Sequence, residues 1–189
     1  MEPSSVFRPT LWRTCRVLAN RRRLQIFHFL IQQPDRTVSE VARRFDLPPS
    51  VASESLRLLE SRSLLTARRV GRYVKYRIAA TSPITPYSRL PTALKATFQV
   101  HGSSKASDAI FHLVTAFTHP SRIEIFRALR SGPRSLRQLQ TMTGISVRAL
   151  YRHLEKLDDR GFIEYSDGLY SVLRRSCALH QELTRLAGG

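Results

Sequence analysis

Residues 144–162 read GISVRALYRHLEKLDDRGF, and this stretch decides the fold. Gly144 and Ser146 predict a turn and an N-cap ahead of a helix. Leu150, Leu154 and Leu157 recur at steps of four and three, so they share one face. Arg148, Tyr151, Arg152 and Glu155 fall on the opposite face. Gly161 supplies the left-handed residue that ends the helix, and Phe162-Ile163 opens an apolar run that predicts a strand. A short helix with a leucine face and an Arg/Tyr/Arg face fits the major groove of DNA in size and charge.

Working outward, composition narrows the partner. The chain has 189 residues, room for one domain or two small ones, and 42% of them are hydrophobic, enough for packed cores. Its formal net charge is +17 and its sequence pI is near 11.3, which implies a polyanionic partner: DNA, RNA or an anionic membrane surface. Of the 31 cationic residues 27 are Arg, which suits bidentate recognition of phosphate and guanine better than Lys does. The basic residues fall on a hairpin and capped helices rather than on one long amphipathic helix, which argues against a membrane surface. Cys15 and Cys177 form neither a disulfide framework nor a thiolate cage, and read as small hydrophobes in a reducing cytoplasm. No apolar run approaches a membrane span, and the N-terminus lacks the apolar core of a secretory signal. The expected location is cytoplasmic, at the nucleoid.

Taken in order, Arg8–Ala19 and Arg21–Ile31 predict two helices, the second capped by Asn20. Thr37–Phe45 predicts a short helix, Asp46–Pro49 a tight turn, and Ser50–Arg62 the next helix. Leu64–Ala80 changes to an alternating period with Gly71 at the bend, a β-hairpin. Residues 81–103 begin with Pro83, Pro86 and Pro91 and predict a linker, with room for a short helix at Thr92–Val100. Helices at Asp108–Phe117 and Pro120–Leu129, a short helix at Ser135–Met142 and the helix Val147–Arg160 follow. A second, shorter hairpin, Phe162–Leu173, turns at Asp167-Gly168, and Arg174–Leu186 predicts a last helix. The order therefore repeats. LQIF at Leu24–Phe27 matches IEIF at Ile123–Phe126, and Leu56, Leu59 and Arg62 fall on Leu154, Leu157 and Arg160. The expected fold class is mainly α with small β-hairpins (α+β), as one unit over 6–80, the linker over 81–103 and a second unit over 104–187.

The element order and its wording resemble the winged helix-turn-helix of the ArsR-type bacterial repressors. The first copy carries LANRRRLQIFHFL, TVSEVARRFDLPPSVASESLRLLESRSLL and RRVGRYVKYRI; the second carries GISVRALYRHLEKLDDRGFI, closer to the family's recognition-helix wording. The resemblance implies tandem winged helix-turn-helix domains and a sequence-specific double-stranded DNA-binding transcriptional regulator, most simply a repressor. Alternatives are a plasmid- or phage-type replication initiator, or a DNA-architectural or assembly protein with tandem winged helices. Family members are usually one domain per chain and pair as homodimers; here the resemblance implies an internal pseudo-dimer through Arg8–Ala19, Asp108–Phe117 and Arg174–Leu186, or pairing of two chains. The family's metal sensors carry Cys-x-Cys in the short or recognition-side helix, or Asp/His sets in the last helix. Neither TVSEVARRF nor LRQLQTMT has Cys or His, so thiolate sensing is not expected.

Candidate DNA contacts follow from these placements. Ser146, Arg148, Tyr151, Arg152 and His153 are the candidates on the second recognition helix; a bidentate Arg–guanine pair is worth about 1–3 kcal/mol of discrimination. The matching face of the first copy is Ser50, Ser53, Glu54 and Arg57. Serines bond phosphates or bases, whereas Glu repels phosphate, so whether this helix reads bases stays open. Arg68, Arg69, Arg72, Lys75 and Arg77 make a basic wing suited to phosphates and to a minor-groove tip, although strand alternation lets only some of them face DNA together. Arg21, Arg22 and Arg23 open a helix, where cations oppose the dipole but phosphates bind; they read as a phosphate clamp or as a surface charge run. His112, His119, Cys177 and His180 are scattered ligand types, and two on one helix face do not make a site, so no metal or other cofactor is expected. With no Gly-rich phosphate loop, carboxylate pair or Ser/His/Asp order, the chain reads as a non-enzyme. A small-molecule effector stays unassigned.

Overall fold

A computed structural model describes residues 10–82, 85–101 and 103–189; the expected starts at residues 6 and 8 lie outside these. The described chain runs α1 (Leu11–Leu18), α2 (Arg21–Gln32), β1 (Arg36–Thr37), α3 (Val38–Phe45), α4 (Pro49–Glu60), β2 (Leu65–Val70), β3 (Tyr73–Ile78), α5 (Leu90–His101) and α6 (Ser103–Val114). A 3-10 turn (Thr115–Phe117) leads into α7 (Pro120–Arg130), α8 (Leu136–Thr143), α9 (Val147–Asp159), β4 (Ile163–Ser166), β5 (Leu169–Val172) and α10 (Ala178–Gly188). The class is the expected one, mainly helical with small antiparallel hairpins. β1 is an addition: its two residues pair with Tyr76 and Lys75, making the first sheet three-stranded in the order β1-β3-β2.

Local chemistry explains why elements begin and end where they do, and it recurs along the chain. Asn20 caps α2 through its side chain; His119, 99 positions later, caps α7 through Nδ1, which accepts from the Ser121 amide. Arg23 donates from Nε to the Val17 carbonyl at 2.6 Å and from Nη2 to the Arg16 carbonyl at 3.3 Å. Arg122 ties the carbonyls of Ala116 and Thr115 in the same way, again 99 positions on. Both short helices start in a capping box, Thr37 with Glu40 and Ser135 with Gln138. Both end in a left-handed residue, Asp46 (φ 50°) and Gly144 (φ 66°), which turns the chain into the next helix. Ser63 and Gly161 are left-handed at matching positions before each hairpin. The pairing of Arg36 with Tyr76 has its counterpart in a bridge between Arg134 and Tyr170.

The stretch expected as a linker is structural. Residues 90–101 form α5, which buries Leu90, Leu94 and Phe98 and lays Phe98 against the His28 ring at 4.5 Å. Its main neighbour is α10, and α6 packs on α1 and α2. The apolar interior is therefore continuous: Cys15, Leu24, Phe27 and Leu56 belong to the same buried cluster as Phe117, Phe126, Leu154 and Phe162. Pro83 lies outside the described residues, Pro86 precedes the helix, and Pro91 fits its first turn, where no amide donor is needed.

Candidate nucleic-acid interface

α9 presents the face expected of it. Leu150, Leu154 and Leu157 are buried, while Arg148, Tyr151 and Arg152 are exposed, Tyr151 at 54%. Ser146 is an exposed N-cap whose side chain caps nothing, so its hydroxyl stays available. Among the described residues, Arg148 and Arg152 have no ion-pair partner. His153 departs from expectation: it is only 9% exposed, its ring 4.8 Å from that of His119. Burial lowers its pKa, and His119, Arg122 and Arg152 lower it further. His153 therefore anchors α9 to the start of α7 and offers nothing to a duplex. Its position, three after Leu150 and four before Leu157, is a signal of that inward face.

α4 is presented in the same way but with different chemistry. Ser50, Glu54 and Arg57 are exposed and Ser53 is half-buried, while Ala52, Ser55, Leu56 and Leu59 face inward. One cation and one carboxylate therefore share the outer face. The preceding helix α3 adds Arg43 and Arg44 in its exposed last turn, which the sequence reading passed over. The first helix of a helix-turn-helix crosses the backbone, so cations there were a usable signal.

The first hairpin resolves which cations act together. Its register sets Arg68 opposite Lys75 and Thr66 opposite Arg77, so these side chains share the face turned away from buried Leu65 and Tyr76. Arg69, opposite Val74, lies on the other face. Arg77 is held by Asp35, its Nε donating to Oδ1 at 2.9 Å, and is not free. Like charges directly across a ladder destabilise it, so the Arg68–Lys75 pair is a local cost that an anion would relieve. Arg72 sits at the tip over the Tyr73 ring, 5.0 Å from its centroid. The second hairpin differs in sign and length. It carries Glu164 and Asp167, no Lys or Arg, and a Tyr165–Tyr170 contact at 4.6 Å.

The Arg21–Arg23 run is divided by its surroundings. Arg21 pairs with Asp108 of α6 and lies over Phe111, and Arg23 is turned inward onto the carbonyls before α2. Only Arg22 is exposed without such a partner among the described residues. The run therefore fastens α2 to its neighbours rather than forming a clamp. His180 is likewise structural: it is buried, bonded to the Gly161 carbonyl at 2.9 Å and stacked on Phe162. Among the described residues no group of three or more His, Cys, Asp or Glu could hold a metal ion, and no helix is long and apolar enough to cross a membrane.

Comparison with known families gives a match in each half. Residues 20–65 match the family described as "Bacterial regulatory protein, arsR family", a span that includes α2, α3 and α4. Those residues are an ArsR-family helix-turn-helix domain, the domain of a DNA-binding transcription regulator. Residues 114–188 match the family described as "HVO_A0261 N-terminal domain". The tandem reading expects one family twice; the halves instead match two different families, so a second ArsR-type copy is not shown. No curated protein matches the chain.

Proposed function

We propose that the chain is a sequence-specific double-stranded DNA-binding repressor built from two winged helix-turn-helix units that pair within one chain. The observation that carries this reading is the exposed Arg148/Tyr151/Arg152 face of α9, presented directly after the left-handed turn at Gly144. Arg148 and Arg152 read guanine edges in the major groove, with Tyr151 beside them. Arg68, Lys75 and Arg72 of the first wing supply salt-dependent phosphate affinity. Recurrence of the caps, the inward arginines and the left-handed turns supports two units of one design. Packing of α1 on α6 and of α5 on α10 supports their pairing. Because the outer faces of α4 and α9 differ, the expected DNA site is asymmetric. Selection of bound duplexes from a random pool at fixed salt tests this: one enriched, non-palindromic motif is expected. A palindrome would mean that two chains pair, and no enrichment would reject sequence-specific binding. Reporter repression from a promoter carrying the motif tests the sign of regulation.

A further inference from the structure

A cavity of about 460 Å³ lies between the end of α7, the residues after β5 and one face of α10. Arg130, Arg174, Arg175 and Arg185 line it together with His180, Thr184 and the terminal carboxylate-bearing Gly189, and no acidic side chain lines it. Arg185 is held by Glu182 of the same helix and also donates to the Pro86 carbonyl; Arg175 Nε reaches the Gly161 carbonyl only at 3.4 Å. Arg130 and Arg174 have no ion-pair partner among the described residues. The Thr184 hydroxyl is shielded from solvent and has no hydrogen-bond partner among the described residues. Guanidinium groups gathered in a concave site that no acidic side chain lines repel one another unless an anion joins them, and their planar forks match carboxylate and phosphate oxygens. The volume falls within the range of small-molecule sites.

We propose that this cavity binds a small polyvalent oxyanion, a di- or tricarboxylate or a phosphorylated metabolite, and that the ligand regulates DNA binding. The position gives it leverage. Arg185 reaches from α10 to Pro86, just ahead of α5, and α5 and α10 are the helices that join the two halves. A ligand that draws Arg185 toward Arg130 and Arg174 shifts the balance at this seam, and with it the spacing of α4 and α9. The same linkage requires DNA to change ligand affinity by the same factor. The regulatory part rests on the DNA-binding reading above; the binding part does not.

The test titrates citrate and, separately, inorganic pyrophosphate into the full chain by calorimetry at constant ionic strength. Saturable binding at one site per chain is expected, with the tighter probe telling carboxylate from phosphate chemistry. Arg130→Ala with Arg174→Ala should weaken it by about tenfold or more, as loss of charge-assisted bonds requires. Arg174→Glu, at an exposed position with no ion-pair partner among the described residues, gives the same loss where the double variant folds poorly. Lys105→Ala, an exposed cation that does not line the cavity, should leave anion binding unchanged. Absence of saturation with both probes overturns the proposal, as does equal weakening in the Lys105 variant. Loss of DNA affinity and salt slope in the Arg130/Arg174 variant without saturable anion binding would assign these arginines to the duplex instead. Saturable anion binding in a chain that binds no DNA keeps the site and removes the regulator reading.

Discussion

The two hairpins are built on one plan and carry opposite charge. The first has six-residue strands with Arg68 facing Lys75 and Arg72 at its tip; the second has four-residue strands bearing Glu164 and Asp167. The helices ahead of them divide the other way. α4 offers Ser50, Glu54 and Arg57, while α9 offers Arg148, Tyr151 and Arg152. Each half thus concentrates its exposed cations on the element where the other does not. The scaffold is set by buried leucines and caps that recur in both halves, so the exposed positions are free to differ. Shared architecture here does not mean a shared task.

The sharpest way to break that comparison is to strike the core at equivalent points. Leu56 and Leu154 are both buried, and each change to Ala should lower stability by about 2–5 kcal/mol. With one continuous apolar interior, thermal melts of either variant should show a single shifted transition. Two separate transitions, each moved only by its own variant, would make the halves independent units. Next in size are the surface changes. Arg148→Ala and Arg152→Ala should each cost about 1–3 kcal/mol on the selected sequence and little on random duplex. Arg68→Ala with Lys75→Ala should weaken binding to all duplexes alike and reduce the salt slope by about two. Fluorescence anisotropy across a salt series separates the two patterns, and their exchange would reverse the assigned roles.

Smaller effects follow from titration. His153 is held below its ordinary pKa of 6.5, so the neutral ring is the folded form. Its contribution is full above about pH 6.5 and is lost as pH falls below that value. Ser55, its counterpart in α4, has no such dependence. Between pH 7.5 and 5.5 the wild type should lose more melting temperature than His153→Ser; equal losses would remove His153 as the cause. The capping boxes give the smallest contrast. The Thr37 amide, the Arg36 guanidinium and the Thr37 hydroxyl hold Glu40 down to about 2. That stabilisation is present above the ordinary value of 4.5 and disappears as pH falls toward 2, whereas Gln138 does not titrate. Glu40→Gln should therefore flatten the acid limb of the stability curve below pH 4.5, and an unchanged limb would leave the Glu40 cap without effect there.

Much of the framework was legible because it is local. The leucine spacing of α9, the left-handed residue at Gly144 and the alternation of the first hairpin are written within a few residues of one another. The role of α5 was not. Its apolar face includes small residues, Ala93 and Thr97, its start is crowded with proline, and its partner α10 lies far along the chain. β1 is only two residues long and exists through its pairing with β3. At the site, exposure of Arg148 and Arg152 followed from helical phase. The inward turn of Arg23 and the Arg21–Asp108 pair depend on tertiary neighbours, which composition does not reveal.

The seam formed by α1 with α6 and α5 with α10 has a consequence for how such a protein behaves at low copy number. A conventional dimer falls apart on dilution, and the occupancy of its site then varies with the square of subunit concentration. In the proposed pairing within one chain the two halves are tethered covalently, so no bimolecular step would precede engagement of DNA. Occupancy should rise hyperbolically with the amount of chain, and a handful of molecules per cell would be as competent, each, as a crowd.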